Sequence, residues 1–357
     1  TLKKMPPSLY GITHSNRNFS DPHYWGKNQF NSSFPAALAC YMRDKGIPAV
    51  YIELDEDCKT QVVERDFDFI FGTTLPNDQL SFAFESIYEP FRNFVEDQLV
   101  SIDLVLKDTN GNYIRPFEIK LTTLPDNSTC MLAESQYGCE LVLRSATLKY
   151  MALSIAESCN NEADKARIRE LFAFCGPIQD WRNEVEAARY LPQIVEALET
   201  FFSEFSSRQK PILLQPIWKT HGKAPLLADS CLDIFVWSDF ALSRLFMSSA
   251  RDFRVETISR FKRAALRLAR FLYDSSRLGK VYLAPIYDGM TYGPQTDKEF
   301  ALSGNKTNLI MRNPRLTNLA IGKDEIKNII LGGGQKYLSP ERRFDAIIYF
   351  ATDLFSD

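Results

Sequence analysis

Residues 101–120, SIDLVLKDTNGNYIRPFEIK, form the stretch around which the rest of the chain is organised. The alternation of apolar and polar side chains over 101–107 predicts a β-strand. Asn110 and Gly111 form a dipeptide typical of tight hairpin turns, and the chain then resumes a strand pattern at residue 113. The segment therefore predicts a β-hairpin.

Two carboxylates and an amine lie on this predicted hairpin, Asp103 on its first strand and Glu118 and Lys120 on its second. Glu118 and Lys120 are two residues apart, so a strand directs both side chains to the same face. Asp103 can approach Glu118 across the hairpin. Two converging carboxylates form a site for a hard cation, and a neighbouring lysine suits a water nucleophile or a phosphate. The alternative is a solvent-facing strand edge with a weak salt bridge.

The same acid-x-lysine spacing occurs at residues 57–59 and 325–327. The first lies in a polar loop pattern, and the second lies in a charged, helix-like run where such spacing is typical of a solvated face. Neither follows a strand that carries another carboxylate. The hairpin is therefore the preferred candidate.

Composition places the chain among ordinary globular proteins. It has 357 residues, 45% of them apolar and 24% charged, with a net charge of −3. That charge argues against non-specific coating of nucleic acid, although a local basic cleft is compatible with it. We expect a single α/β domain over 1–357 with helical insertions.

Cysteine usage and hydropathy bear on the compartment. The seven cysteines form no CxxC pair and the chain has three histidines, so a structural zinc site is not expected. Free thiols in a reducing cytoplasm are the simplest interpretation. No apolar run is long enough to span a bilayer, and the first residues lack the apolar core of a secretory signal. The expected location is cytoplasmic.

Hydrophobic periodicity predicts several further elements. Strands are expected over 49–54, 211–218, 231–237, 281–286 and 344–350, with a short candidate at 141–143. Helices are expected over 33–45, 79–99 with a kink at Pro90, 145–158, most of 161–209, and 240–275.

The order of a helix, an Asp-bearing strand, a turn, a Glu-x-Lys strand, and then a strand and a helix resembles the PD-(D/E)xK nucleases, with Ile102 in place of the proline. Three segments make the resemblance more specific, and they are similar to the HindVP/HgiDI family of type II restriction endonucleases. They are residues 15–42 (SNRNFSDPHYWGKNQFNSSFPAALACYM), 116–129 (PFEIKLTTLPDNST) and 292–307 (YGPQTDKEFALSGNKT). The resemblance implies a restriction-endonuclease-like core, a central mixed sheet flanked by helices. It implies a single endonuclease domain over 1–357 in which 79–160 is the catalytic core segment, and residues 1–78 and 210–357 are expected to supply DNA recognition and further core elements.

The resemblance also implies a role for each residue of the hairpin. Asp103 and Glu118 would bind Mg²⁺ together with the backbone carbonyl of Ile119, and Lys120 would orient or deprotonate the attacking water. An acid from the preceding helix often contributes in these folds. Glu85 is the first candidate for it, and Glu89 is the alternative.

The implied activity is cleavage of double-stranded DNA at a site similar to GRCGYC, leaving a 5′ phosphate and a 3′ hydroxyl. A palindromic target predicts a homodimer, and a cognate DNA methyltransferase is expected to protect host DNA. The alternatives are a structure-specific repair nuclease or resolvase of the same fold, and a DNA-binding protein without activity.

Three regions are candidates for DNA contact. Residues 251–280 contain nine basic and three acidic side chains, so a helix there could meet phosphates. The polar segments 14–29 and 292–308 could read base edges. The alternatives are a solvated helix face and plain surface loops. The candidate residues are Asn16, Arg17, Lys27, Asn28, Arg263, Arg267, Gln295, Lys298, Asn305 and Lys306.

Overall fold

A computed structural model describes residues 27–119, 145–216, 218–221, 224–227, 234–251 and 260–288. Its strands are β1 (Ala49–Leu54), β2 (Thr60–Arg65), β3 (Leu80–Ser86), β4 (Ile102–Asp108), β5 (Tyr113–Ile119), β6 (Pro211–Pro216), β7 (Trp218–His221), β8 (Ala224–Leu227) and β9 (Ile234–Ser238). Its α-helices are α1 (Lys27–Asp44), α2 (Phe67–Phe71), α3 (Ser145–Ser158), α4 (Glu162–Leu171), α5 (Glu184–Ala188), α6 (Leu191–Glu204), α7 (Asp239–Ala250), α8 (Arg260–Leu278) and α9 (Leu283–Tyr287). Short 3₁₀ helices cover Asn77–Gln79, Glu89–Asn93, Ala173–Cys175 and Ser206–Arg208.

The main sheet of the described chain has seven strands in the order β2-β1-β9-β6-β5-β4-β3. It is mixed, since β1 with β9 and β5 with β6 are parallel pairs and the other neighbours are antiparallel. Strands β7 and β8 form a separate antiparallel pair. The prediction of an α/β fold with a mixed sheet and helices is confirmed.

The predicted hairpin is confirmed as β4 and β5, which pair antiparallel between β3 and β6. Most of β4 is buried, including the consecutive residues Leu104, Val105 and Leu106. Because successive side chains of a strand point to opposite faces, both faces of the sheet are covered here.

Helices cover the two faces of the sheet. Phe117 packs its ring against Phe71 of α2, whereas the side chain of the next residue, Glu118, contacts Thr147 of α3 at 3.5 Å. We infer from these contacts on adjacent residues of β5 that α2 and α3 lie on opposite faces. Within the described ranges, none of the helices combines the length and apolarity that crossing a bilayer requires.

The predicted helix over 79–99 is wrong. Residues 80–86 form β3, and a 3₁₀ helix follows at Glu89–Asn93. The buried side chains of Leu80, Phe82 and Phe84 alternate, which suits a strand paired with β4. The aromatic residues that follow this segment happen to lie at helical spacing, which suggested one long helix. Pairing with β4 makes the segment a strand instead.

Three other boundaries differ from expectation. The helix predicted at 33–45 begins at Lys27, and the one predicted over 240–275 is two helices, α7 and α8. The strand predicted at 281–286 is mostly the helix α9, because the carboxylate of Asp97 accepts the amides of Leu283 and Ala284 at 2.9 and 2.7 Å. Asp97, which caps this helix, lies 186 residues before Leu283 in the sequence, so no local pattern predicts the helix.

The four described cysteines whose state the structure gives are free thiols: Cys40, Cys58, Cys159 and Cys175. Burial raises the pKa of Cys40, Cys159 and Cys175 to about 12. These three thiols therefore stay protonated at neutral pH and behave as small apolar side chains.

Asp239, the first residue of α7, is fully buried where three elements meet. Its Oδ1 accepts the amides of Lys210 and Phe240 at 2.9 Å, and its Oδ2 accepts the hydroxyl of Ser154 at 3.0 Å. Burial raises the pKa of this carboxyl to about 6, although these hydrogen bonds and the charge of Lys210 oppose the rise. The carboxyl joins the start of β6, α3 and α7 at one point.

Substituting Asp239 by asparagine should flatten the pH dependence of stability between about pH 4 and 6. The folded state holds this proton more tightly than the unfolded state, so the wild type loses stability as pH rises through that window and the loss is constant above it. Each pKa unit is worth about 1.4 kcal/mol, so the difference is about 3 kcal/mol. Urea unfolding of both proteins at pH 4 and 7 measures it. Parallel pH profiles would contradict the assignment.

Candidate active site

The register of the hairpin brings Asp103 and Glu118 together. Leu104 of β4 is paired with Phe117 of β5, so the next opposed positions are Asp103 and Glu118. The backbone amide of Ile119 donates a hydrogen bond to Oδ2 of Asp103 at 2.9 Å. Directly opposed residues of an antiparallel pair project to the same face of the sheet. The convergence that the sequence predicted for these two carboxylates is therefore present.

The two carboxylates differ in their surroundings. Glu118 is 7% exposed and Asp103 is half-buried. Oε1 of Glu118 lies 3.5 Å from the hydroxyl of Thr147 in α3, a contact that is itself buried. Burial, followed by the nearby charge of Glu118, raises the pKa of Tyr150 well above its ordinary value. The pair thus sits at the end of the hairpin with Glu118 enclosed under α3.

Glu85 lies on β3 and not on a helix, which corrects the expectation of a helix acid. The pairs Phe84 with Leu104 and Ser86 with Ile102 flank it, so its position adjoins that of Asp103 on the neighbouring strand. Its φ is +49°, a left-handed conformation that is uncommon for a residue other than glycine, and its side chain is exposed.

Glu89, the alternative acid, begins a 3₁₀ helix and lies 3.9 Å from Arg92. Across the part of the chain that the structure describes, no group of three or more His, Cys, Asp and Glu side chains could hold a metal ion. Asp103 and Glu118 are nevertheless hard oxygen donors of the kind that divalent magnesium prefers. The chemistry of this pair therefore fits such an ion, with water and phosphate oxygens as the remaining ligands.

The basic helix α8 is occupied by protein contacts. Arg263 and Arg267 each donate to a carboxylate oxygen of Glu184 in α5 at 2.9 Å, and Arg267 is only 7% exposed. Lys262 is 1% exposed. The charge count over 251–280 did not include Glu184, because this acidic partner lies some 80 residues earlier in the sequence. The guanidinium groups of Arg263 and Arg267 thus hold α5 against α8, and contact of these two residues with DNA stays a prediction.

The remaining predicted site residues fall mostly outside the described ranges. Lys27 and Asn28 begin α1, so they do not belong to the irregular arm expected from the sequence. The strand predicted at 344–350 and the short one at 141–143 also lie outside. The site residues outside the described ranges are Lys120, Asn16, Arg17, Gln295, Lys298, Asn305 and Lys306.

Thr147 contacts Glu118 in the structure, but the sequence alone did not identify it as a candidate site residue. Its position near the start of a predicted helix gave no indication that its hydroxyl would face Glu118, 29 residues earlier. The available signal was the seven-residue spacing of Thr147 and Ser154, which places both hydroxyls on one face of α3.

Comparisons with known proteins identify the family to which the chain belongs. The family described as HindVP restriction endonuclease matches residues 25–355. The chain is 40% identical over 355 residues to the type II restriction enzyme HgiDI of Herpetosiphon aurantiacus, covering 98% of each chain. It is 39% identical over 356 residues to the probable type II restriction enzyme HindVP of Haemophilus influenzae, covering 98% of this chain and 95% of the relative. No solved structure matches. The chain therefore belongs to the HindVP restriction endonuclease family, and site-specific cleavage of DNA is the activity that this membership assigns to it.

Proposed function

We propose that this protein hydrolyses phosphodiester bonds of double-stranded DNA in a Mg²⁺-dependent reaction, at a site built on the β4–β5 hairpin. The observation that carries the proposal is the opposed pair Asp103 and Glu118, with Oδ2 of Asp103 held by the amide of Ile119 at 2.9 Å. Family membership gives the substrate class, and the pair is the proposed place where the phosphate is attacked.

Asp103, Glu118 and the backbone carbonyl of Ile119 are the proposed oxygen ligands. Type II restriction enzymes generally use a divalent metal ion, and carboxylate and carbonyl oxygens suit Mg²⁺. When bound, the ion would neutralise charge on the phosphate and acidify the attacking water. The side chains of this pair would fix where that charge is placed, because both are anchored on neighbouring strands of one sheet.

Glu85 is the proposed third carboxylate. It adjoins Asp103 on β3, and its positive φ is the kind of local backbone strain that clusters at functional sites. Its exposed side chain would turn toward Asp103 when the cation binds. A third acid from the neighbouring strand would take the place of the helix acid expected from the sequence.

Lys120 is the proposed partner of the attacking water. It follows the last residue of β5, and a strand that continued by one residue would direct it to the same face as Glu118. An ammonium there would orient or deprotonate the water and stabilise negative charge gathering on the phosphate.

The fold around the hairpin supports a restriction-endonuclease-like core of the PD-(D/E)xK type. Strands β3, β4 and β5 form an antiparallel meander, α3 follows, and β6 then lies parallel to β5. We assign the core to this unit, within the proposed segment 79–160 and extended by β6, in a single domain that spans the chain.

The proposed target is similar to GRCGYC, cut to leave a 5′ phosphate and a 3′ hydroxyl. Two copies of the chain would act together, because a palindrome presents two strands to two active sites. The polar segments 14–29 and 292–308 are the proposed base-reading regions. A cognate DNA methyltransferase is the proposed partner that protects host DNA.

Digestion of a sequenced plasmid in Mg²⁺, followed by mapping of the ends, tests the proposal. The expected result is a set of discrete fragments with 5′ phosphates, and a chelator should stop their formation. Random degradation would exclude site-specific cleavage. Cleavage confined to junctions or flaps would favour a structure-specific nuclease, and tight binding without metal-dependent cutting would favour a non-catalytic DNA-binding protein.

A further inference from the structure

We propose that Thr147 is a positioning residue for the metal site, which holds the carboxylate of Glu118 in the orientation that binds the cation. This inference rests on the proposed function of the hairpin. Oγ1 of Thr147 lies 3.5 Å from Oε1 of Glu118, and the two residues are 4% and 7% exposed. A hydroxyl that meets a carboxylate away from bulk water restricts how the carboxylate can rotate, because a polar contact is stronger where the local dielectric constant is low.

The placement of Thr147 follows from how α3 packs on the sheet. Tyr150, three residues further along the helix, donates to the carbonyl of Pro116 at 2.7 Å, two residues before Glu118 on β5. Residues three apart share a helix face, and residues two apart share a strand face. The helix therefore runs antiparallel to β5, and Thr147 meets Glu118 one step beyond the contact of Tyr150.

A third hydroxyl on the same face of α3, that of Ser154, also contacts a neighbouring element. Ser154, seven residues after Thr147, donates to Oδ2 of the buried Asp239 at 3.0 Å. The helix is thus fixed to its surroundings by Tyr150 and Ser154 independently of Thr147. Loss of the Thr147 hydroxyl should leave α3 docked, so an effect on the metal site can be separated from unfolding.

The carboxylates of Asp103 and Glu118 are held in place by different groups. The amide of Ile119 fixes Asp103 through the backbone of β5, at 2.9 Å. Glu118 has a side chain that is one torsion longer, and Thr147 of α3 contacts its carboxylate. Groups that orient metal-binding side chains commonly change metal affinity by about 10- to 100-fold when they are removed. Because the contact is 3.5 Å long, we expect the lower end of that range, about 10-fold.

Mn²⁺ titration followed by electron paramagnetic resonance tests this inference on the full chain without reference to activity. Thr147→Val keeps the branched shape and removes the hydroxyl, and it should weaken Mn²⁺ binding by about 10-fold. Thr147→Ser keeps the hydroxyl and should bind Mn²⁺ within about 2-fold of the wild type. The Mg²⁺ concentration that gives half-maximal cleavage should shift in parallel.

The matched control is Ser154→Ala, which removes a buried hydroxyl–carboxylate contact from the same face of α3. It should leave Mn²⁺ binding unchanged. Unchanged binding by Thr147→Val would overturn the inference, and equal weakening by valine and serine would reassign Thr147 to packing alone. Glu118→Ala distinguishes failure of the proposed metal site from failure of the proposed role of Thr147. If it binds Mn²⁺ like the wild type, the proposed metal site fails, whereas loss in this variant with normal binding by Thr147→Val overturns only the role of Thr147.

Discussion

Replacing Glu118 by alanine should reduce DNA cleavage by at least about 10³-fold, equivalent to about 4 kcal/mol of lost transition-state stabilisation. In the proposed mechanism, the change removes one of the two carboxylate ligands, so the cation that would neutralise the phosphate would no longer be held. Asp103→Asn should have a comparable effect, because it removes the other charge while retaining an acceptor for the amide of Ile119. The measurement is the single-turnover rate of cleavage of a plasmid in Mg²⁺.

The control variants must show that cleavage is lost because the carboxylate is missing and not because the protein is unfolded. Glu118→Gln keeps the shape of the side chain and should be as inactive as alanine while it unfolds near the wild-type temperature. Glu64→Ala removes an exposed strand glutamate from the edge strand β2 and should cleave normally. Cutting at the wild-type rate by either Glu118 variant would remove the hairpin from the mechanism.

Replacing Phe71 by alanine should lower the free energy of unfolding by about 3–5 kcal/mol. Phe71 is 1% exposed, and its ring centroid lies 5.7, 6.5 and 6.3 Å from those of Phe67, Phe82 and Phe117. Truncation would leave a cavity under the sheet and remove edge-to-face contacts that are worth more than buried area alone. Urea unfolding followed by circular dichroism measures the change.

Phe69, in the same short helix α2, is the matched control. Its side chain is 43% exposed, and its ring contacts only Tyr51 among the described aromatic rings, at 5.5 Å, together with the guanidinium of Arg65 at 5.3 Å. Its truncation should cost about 1 kcal/mol. Equal losses for the two variants would mean that α2 does not anchor the core through Phe71. Residual activity of Phe71→Ala at low temperature is expected, because the ring lies on the face of the sheet away from α3.

The sequence predicted the hairpin because its information is local. Apolar alternation, a turn dipeptide and a short separation between the two strands determine both the pairing and the register. The same local information predicted β1 and α3 with the bounds that the structure has. It also indicated that Asp103 and Glu118 could approach each other across the hairpin, and the register of the structure places the two positions opposite each other.

Sequence reasoning failed where the deciding contact was remote. The segment 80–86 carries both a strand alternation and part of a helical stripe, and its partner β4 resolved the ambiguity. Residues 283–287 form a helix because Asp97 caps it from far away in the chain. The ion pairs of Arg263 and Arg267 with Glu184 were likewise not predicted, because Glu184 lies far from both arginines in the sequence.

The sequence alone thus determined the family, the hairpin and the two opposed carboxylates of the candidate site, because each depends on residues near one another or on overall similarity. The tertiary structure decided that Glu85 belongs to a strand beside Asp103, that the basic helix is used in packing, and that Thr147 faces Glu118. These three depend on contacts between segments 18 to 83 residues apart in the chain, and no periodicity within one segment encodes its partner.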